Sequence, residues 1–328
     1  MRKKLGVAVA LAFCFSTAFG IARAQPTGAY PAGPIRLVVG VPPGGNVDTL
    51  ARVLVRQLET QLPQPIVIDN RGGVSGILGY DIVAKARPDG YTLLSTAFPL
   101  AVNPSLYKSL PYDTAKDFAP ITNYVKGAGY LLVINASVPA ATVKELIALA
   151  KSAPAPLRFS SPGIGNGQHL AAELFALKAG IRLQHVPYKG GGPAMTAVLG
   201  NEVQINFPST APAVPLIQAG KIRALAFTGS SRVAAMPDTP TVAEAGLPGF
   251  EFDAGWHGWF APAKTPPAVL NRIHAEIVKA LQVQQVRDYY LKNGYEPVAQ
   301  PPAAFRKVFI DDIARYAEIV RAAKIEKQ

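Results

Sequence analysis

The sequence predicts an α/β protein built as two lobes. Strand-like and helix-like segments alternate along the chain, the pattern of largely parallel sheets flanked by helices. The chain has 328 residues, and removal of an N-terminal leader after Ala24 would leave 304, too many for one compact core. Glycine-rich turns recur at strand ends or helix starts, as expected where an open sheet hands the chain to a helix.

Residues 35–40 form a first apolar strand, ended by Pro42-Pro43-Gly44-Gly45. Asn46 stands in the helix N-cap position, and Leu50, Val53, Leu54 and Leu58 follow at helical spacing, so a helix is expected over 48–62. A strand over 65–69, a helix over 75–85 and a strand over 91–96 come next, the last launched by the turn Pro88-Asp89-Gly90. The Pro-rich stretch 103–120 reads as irregular. A strand over 130–134 ends at Val138-Pro139. The second series comprises a helix over 142–151, a strand over 157–160, helices over 167–179 and 193–200, and strands over 203–207 and 222–228. Residues 232–249 are rich in turn formers and read as a return passage. Three C-terminal helices are expected over 267–281, 283–293 and 303–323, with Pro301-Pro302 opening the last.

Arg2-Lys3-Lys4, an apolar core to Phe19 and Ala22-Arg23-Ala24 form a secretory signal over residues 1–24. Export to the periplasm is expected. A retained anchor is the weaker alternative, because the apolar core is short for a membrane span, and the lipoprotein-like box Leu11-Ala12-Phe13-Cys14 is discounted because bulky Phe13 precedes the cysteine. Cys14 is the single cysteine, so the mature chain holds no disulfide, thiol nucleophile or zinc–thiolate site. Four of the 33 basic residues lie in the leader, leaving 29 against 21 acidic ones. Such a surface mildly favours anions, and without a basic cluster it gives no sign of nucleic-acid binding.

Three turns carry the chemistry. Gly44-Gly45 opens the first helix, Ser160-Ser161-Pro162-Gly163-Ile164-Gly165-Asn166-Gly167-Gln168-His169 opens a second, and Tyr188-Lys189-Gly190-Gly191-Gly192-Pro193 opens a third, with Pro193 at its first position. Free amides and the positive end of a helix dipole suit a carboxylate or phosphate. The spacing Gly163-x-Gly165-x-Gly167 is not a dinucleotide fingerprint. His169 either donates to a bound anion or caps its own helix, and capping is the reading taken; Lys189 reads as solvent-facing. The charge of Asp48 suits the first turn of its helix with no ligand at all. Trp256-His257-Gly258-Trp259-Phe260 either lines a cleft or forms a core strand. Asp311-Asp312 reads as solvated.

No hydrolase elbow, zinc motif or phosphate-loop lysine is present, and no cofactor or metal is expected. The one catalytic arrangement to weigh is Ser160 or Ser161 beside His169, which lacks an orienting carboxylate. An exported enzyme acting on a small carboxylate is therefore the rival reading. An intracellular effector domain is disfavoured by the leader.

From Pro34 onward the chain resembles the extracytoplasmic solute receptors of tripartite tricarboxylate transporters, the Bug or TctC-like receptors. The resemblance rests on Val41-Pro42-Pro43-Gly44-Gly45 with Asp48, Ala51 and Arg52, Asp69-Asn70-Arg71-Gly72, Val83-Ala84-Lys85-Ala86, and Arg87-Pro88-Asp89-Gly90-Tyr91-Thr92-Leu93-Leu94. It continues through Asn103-Pro104 with Leu106-Tyr107, Leu110-Pro111-Tyr112-Asp113, His185-Val186-Pro187-Tyr188-Lys189-Gly190, and Gly220-Lys221 with Arg223-Ala224-Leu225-Ala226. Pro237-Asp238-Thr239-Pro240-Thr241, Ala243-Glu244-Ala245-Gly246, Phe260-Ala261-Pro262 and Thr265-Pro266 complete the set.

The resemblance implies a type II, Venus-flytrap periplasmic binding fold with two mainly parallel mixed sheets and a hinge. Residues 25–126 and 250–328 would form one lobe and 127–249 the other, hinged near 125–140 and 245–255. It implies a monomeric, non-enzymatic receptor for a dicarboxylate, aromatic carboxylate or amino acid, serving membrane transporter subunits or a sensor kinase. The ligand carboxylate would be held by backbone amides and hydroxyls. Candidate ligand-binding residues are Pro43, Gly44, Gly45, Asn46 and Asp48, with Thr96 and Phe98, in one lobe. In the other they are Ser160, Ser161, Gly163, Gly165, Gln168, His169, Tyr188, Gly190, Ser209 and Thr210. Two departures bear on specificity. Val41 replaces the family's usual aromatic residue, and Phe207-Pro208 replaces its common Phe-Asp, which leaves room for a less polar, aromatic acid.

Overall fold

The computed structural model describes residues 30–233 and 236–328; the leader, its cleavage site and Cys14 lie outside the described residues. β1 (Ile35–Val39) leads through a glycine turn into α1 (Asn46–Leu58), followed by β2 (Ile66–Asn70), α2 (Ile77–Ala84), β3 (Thr92–Ala97), α3 (Pro99–Leu106) and β4 (Phe118–Gly127). The chain then makes β5 (Leu131–Asn135), α4 (Val143–Ser152), β6 (Leu157–Ser161), α5 (Gly167–Ala179), β7 (Leu183–Pro187), α6 (Gly191–Leu199), β8 (Ile205–Asn206), α7 (Thr210–Gln218) and β9 (Ile222–Phe227). It returns through β10 (Trp256–Pro262), α8 (Pro267–Gln282), α9 (Gln284–Lys292), β11 (Tyr295–Pro297) and α10 (Pro302–Ala322).

Two mixed sheets result, ordered β11-β4-β10-β3-β1-β2 and β7-β6-β8-β5-β9. Within them β2, β1 and β3 are mutually parallel, as are β7, β6 and β8. β10 runs antiparallel to β3 and β4, and β5 antiparallel to β8 and β9. Leu37, Val38 and Val39 are consecutive yet wholly buried, because helices cover both faces of the parallel part. α1 turns Leu50, Leu54 and Leu58 inward at helical spacing and packs on α8 and α9.

Several boundaries differ from the sequence expectation for identifiable reasons. Gly45 rather than Asn46 caps α1; Gly45 is extended, and the Asn46 amide is drawn to the Tyr295 hydroxyl at 2.6 Å. Helix α3 reaches into the stretch expected to be irregular. Pro99 opens it, and burial of Leu100, Val102 and Leu106 outweighs the bond that Pro104 cannot donate. The polar residues of β4 hide its pattern, yet Thr122 Oγ1 donates to the Gln300 carbonyl (2.7 Å) and Asn123 Nδ2 to Gln300 Oε1 (2.9 Å). β7, β11 and α7 were not anticipated either; β7 and β11 are edge strands with little buried surface. Pro193 is the third residue of α6, not the first.

The 256–260 segment is a core strand: every residue of β10 is buried. Trp256 packs edge-on against Phe305 (5.1 Å between centroids), and Phe260 lies 5.0 Å from Phe309. Trp256 Nε1 donates to Asp312 Oδ2 at 2.9 Å. Asp312 is therefore buried on the inner face of α10, contrary to the solvated reading.

Two crossings join the sheets. β4 leaves the first sheet at Gly127, and β5 enters the second at Leu131. The return runs beside it: Ala254 N donates to the Gly127 carbonyl (3.2 Å) and Gly127 N to the Gly255 carbonyl (2.8 Å). Thr228, wholly buried, ties the pair, since its Oγ1 accepts from Tyr130 N (2.8 Å) and donates to the Phe252 carbonyl (2.7 Å). Four Cα steps separate Gly127 from Leu131, so those ends lie at most about 15 Å apart. β4 is parallel to β1 and β3, so it leaves at their carboxyl ends; β5 is antiparallel to β8, so it enters at the carboxyl ends of β6, β7 and β8. The short crossing therefore sets the two carboxyl edges against each other.

Burial is the main cause that pushes the Asp312 carboxyl up to about 6, with the Trp256 bond and Arg315 acting in the opposite direction. A carboxyl raised on folding costs stability above its folded value, and the cost vanishes as pH falls towards the unfolded value. Asp312→Asn is thus expected to raise the unfolding free energy at pH 7 by up to about 3 kcal/mol. In urea titrations that gain should fade between pH 6 and pH 4.

Candidate functional site

At the end of β1 the chain turns at Gly44, whose φ of +78° favours glycine. Gly44 N donates to Asp48 Oδ2 at 2.8 Å, while Arg52 Nε donates to the same oxygen at 2.9 Å. Asn70 Nδ2 donates to Asp48 Oδ1 (2.9 Å) and to the Val41 carbonyl (3.0 Å). Burial by itself would raise the Asp48 carboxyl, but the bonds from Arg52, Gly44 and Asn70 outweigh it and hold the group below its ordinary value. Asp48 thus shapes the turn from within. No side chain caps α1, so the amides of Asn46, Val47 and Asp48 have no acceptor among the described residues. Pro43, Gly44 and Asn46 are exposed around them.

The second turn is similarly braced. His169 Nδ1 accepts from Gly165 N at 3.0 Å, so the imidazole caps its own loop. Its Nε2 lies 3.4 Å from Glu173 Oε1. Ser160 Oγ donates to the Ala194 carbonyl (2.8 Å) and accepts from Asn206 Nδ2 (2.7 Å). Ser161 Oγ meets His185 Nε2 at 2.6 Å and accepts from Gly163 N at 3.2 Å. The serine–histidine pair is therefore Ser161 with His185, not with His169. Asn166 Oδ1 takes Gln168 N at 2.9 Å, leaving the amides of Gly167 and His169 open at the start of α5.

The third turn lies beside the second, where Tyr188 N donates to the Ser161 carbonyl at 2.9 Å. Gly190 caps α6 without a side-chain bond, and Gly190, Gly191 and Gly192 border open space. The Tyr188 hydroxyl instead donates to Glu202 Oε2 at 3.3 Å. Ser209 caps α7, also without a side-chain bond, and Thr210 begins that helix.

The lobes touch where the second turn meets α3 and the Phe98 ring just beyond β3. Gly165 and Gly167 permit it: a Cβ on Gly165 would fall on the Leu106 side chain, and one on Gly167 would strike the Tyr130 hydroxyl and come within 2.9 Å of the Phe98 ring. Phe98 is buried there, 5.4 Å from the Tyr316 ring. Thr96 lies deeper and donates to the Tyr80 hydroxyl at 2.7 Å.

Tyr295, Arg52, Asn70, Leu106 and Tyr130 contribute to this region without having been singled out as site residues. The Asn46–Tyr295 contact spans 249 positions and leaves no local mark in the sequence. Burial pushes His257, 3.5 Å from Asn46 Nδ2, down to about 3, so the ring is neutral. Between α7 and the α9–β11 corner the lobes leave a cavity of about 460 Å³, which Thr210 lines and the other candidate residues do not. Among the described residues no metal-binding cluster occurs.

Asp48→Ala would strand the Gly44 amide, remove the partner of Arg52 Nε and take one of the two acceptors from Asn70 Nδ2. The expected loss at neutral pH is about 2–4 kcal/mol in urea unfolding. Because folding lowers this carboxyl, its contribution is present above the ordinary carboxylate value and disappears as pH falls through the folded one. The gap between wild type and variant should narrow in acid.

The description "tripartite tricarboxylate transporter family receptor" belongs to the family model, TctC, that matches residues 50–325. Protein BugT of Bordetella pertussis is 38% identical over 310 residues, covering 94% of this chain and 94% of that protein. The structure of R. palustris Rpa4515 with adipate superposes with a TM-score of 0.80 at 31% identity, covering 91% of this chain and all of that one (100%). MatC from Rhodopseudomonas palustris with bound malate gives a TM-score of 0.76 at 29% identity, covering 89% and 100%. With this match across most of its length, and with the two-lobed architecture it shares, the chain belongs to the TctC family of tripartite tricarboxylate transporter receptors.

Proposed function

We propose that this protein is a periplasmic receptor that closes on a small organic carboxylate and presents it to the membrane subunits of a tripartite tricarboxylate-type transporter. One observation carries the reading: four helices, α1, α5, α6 and α7, begin with open amides at strand-carboxyl edges that the crossings hold face to face. Such amides bind an anion without a buried counter-charge. The adipate and malate held by the two R. palustris relatives support a carboxylate ligand.

The proposed site draws on Asn46 and its neighbours in one lobe. In the other it draws on the amides around Gly167, the Gly190 turn, and Ser209 with Thr210. Asp48, Ser160, Ser161 and His169 support these turns. Residues 25–126 with 250–328 would move against 127–249 about the paired crossings, and the mature monomer would begin after Ala24. A micromolar complex needs about 8 kcal/mol. Hydrogen bonds to a charged group supply roughly 1.5–3 kcal/mol each, so several amides and some apolar contact suffice.

A catalytic role finds little support. Ser161 and His185 are in contact, but burial, and secondarily His169, pushes His185 down to about 3. A base that weak is poorly matched to abstracting a serine proton near neutral pH.

Calorimetry of the ligand-stripped protein against mono-, di- and aromatic carboxylates should show micromolar binding to at least one, without turnover. Absence of binding to all of them, or release of a chemically altered acid, would refute the proposal. Gly167→Leu should prop the lobes apart and weaken the same acid by at least about tenfold. Unchanged affinity would place closure elsewhere.

A further inference from the structure

The cavity between α7 and the α9–β11 corner is built from both lobes and from the crossing residue Ala128. Its volume, about 460 Å³, falls in the range of small-molecule sites, roughly 300–1,000 Å³. Val214 and Pro215 of α7, Val233 and Leu291 supply apolar wall. Leu291 is 52% exposed, a large apolar side chain that the fold itself leaves uncovered.

Two lining residues tie this cavity to the proposed anion site. Tyr295 lines it, and the Tyr295 hydroxyl accepts from Nδ2 of Asn46, the first residue of α1. Thr210, the first residue of α7, lines it from the opposite lobe. The charged lining residues are Arg232, Lys292 and Glu296. Arg232 is about half exposed and already paired with Glu244 at 2.9 Å, and Lys292 and Glu296 are exposed. At Phe207-Pro208 no carboxylate is present to receive an ammonium group, and the buried Pro208 spends its carbonyl on Leu131 N at 2.9 Å.

We propose that this cavity is the subsite for the body of the ligand, and that the ligand is a monocarboxylate with an apolar, aromatic-sized body and no ammonium group. The carboxylate sits at the open amides of α1, near Asn46 and Thr210, while the body lies against Val214 and Leu291. A second carboxylate held against Val214, Pro215, Val233 and Leu291 would meet no buried cationic side chain, since the lining Arg232 and Lys292 are both exposed, and such burial is costly. The assignment rests on the receptor reading above and narrows it to one class of acid.

The test uses calorimetry on the mature protein with three probes: 3-phenylpropionate, phenylalanine and succinate. Wild type should bind 3-phenylpropionate at least tenfold more tightly than phenylalanine, which has the same body plus an ammonium group, and more tightly than succinate. Val214→Trp fills the cavity, and Leu291→Gln makes its exposed wall polar. Each should lower the affinity ratio of 3-phenylpropionate to succinate, the first by at least tenfold. Tighter binding of succinate or phenylalanine by wild type would overturn the subsite while leaving the receptor reading in place. So would an unchanged ratio in both variants. Failure of all acids in the wider carboxylate panel would overturn both.

Discussion

Gly127 and Leu131 belong to different sheets, and only three residues separate them. That short crossing is the constraint on which the site depends. It keeps the sheets close, with the carboxyl edge of each turned towards the other. The return segment hydrogen-bonds alongside, and the Thr228 hydroxyl joins both segments to the end of β9.

The turns at those edges divide their polar groups in two. Side chains are spent inward: Asp48 organises the first turn through Gly44, Arg52 and Asn70, and His169 braces the second through Gly165. Main-chain amides at the helix starts are left outward. A neutral donor set costs less to desolvate than a buried cation and would bind an anion through several separate hydrogen bonds. It also allows the ligand to be released when the lobes part. The strong charge pairing therefore lies behind the proposed site and not in it.

Legibility followed the range of the signal. The helix over 167–179 was readable to the residue, because Asn166 caps it locally and Gly180 ends it in a left-handed conformation. The three glycine turns were equally plain, since glycine, proline and capping residues act over a few positions. β4 was missed because Gln300, far along the chain, satisfies its polar residues. Asp312 reads as polar surface until Trp256 and the aromatic residues of α10 are placed around it. Asn46 has the identity of a cap, but Tyr295 claims its side chain and Gly45 takes the position.

By itself, then, the sequence determined the α/β alternation and the turns able to offer amides to an anion. These depend on periodicity and on the backbone preferences of neighbouring residues. The tertiary structure decided which hydroxyls and carboxylates are consumed in bracing those turns, which strands cross between lobes and where a cavity remains. Those outcomes depend on contacts between residues tens to hundreds of positions apart, such as Asn46 with Tyr295 and Ser161 with His185, whose energies are set by burial and geometry that no local pattern encodes.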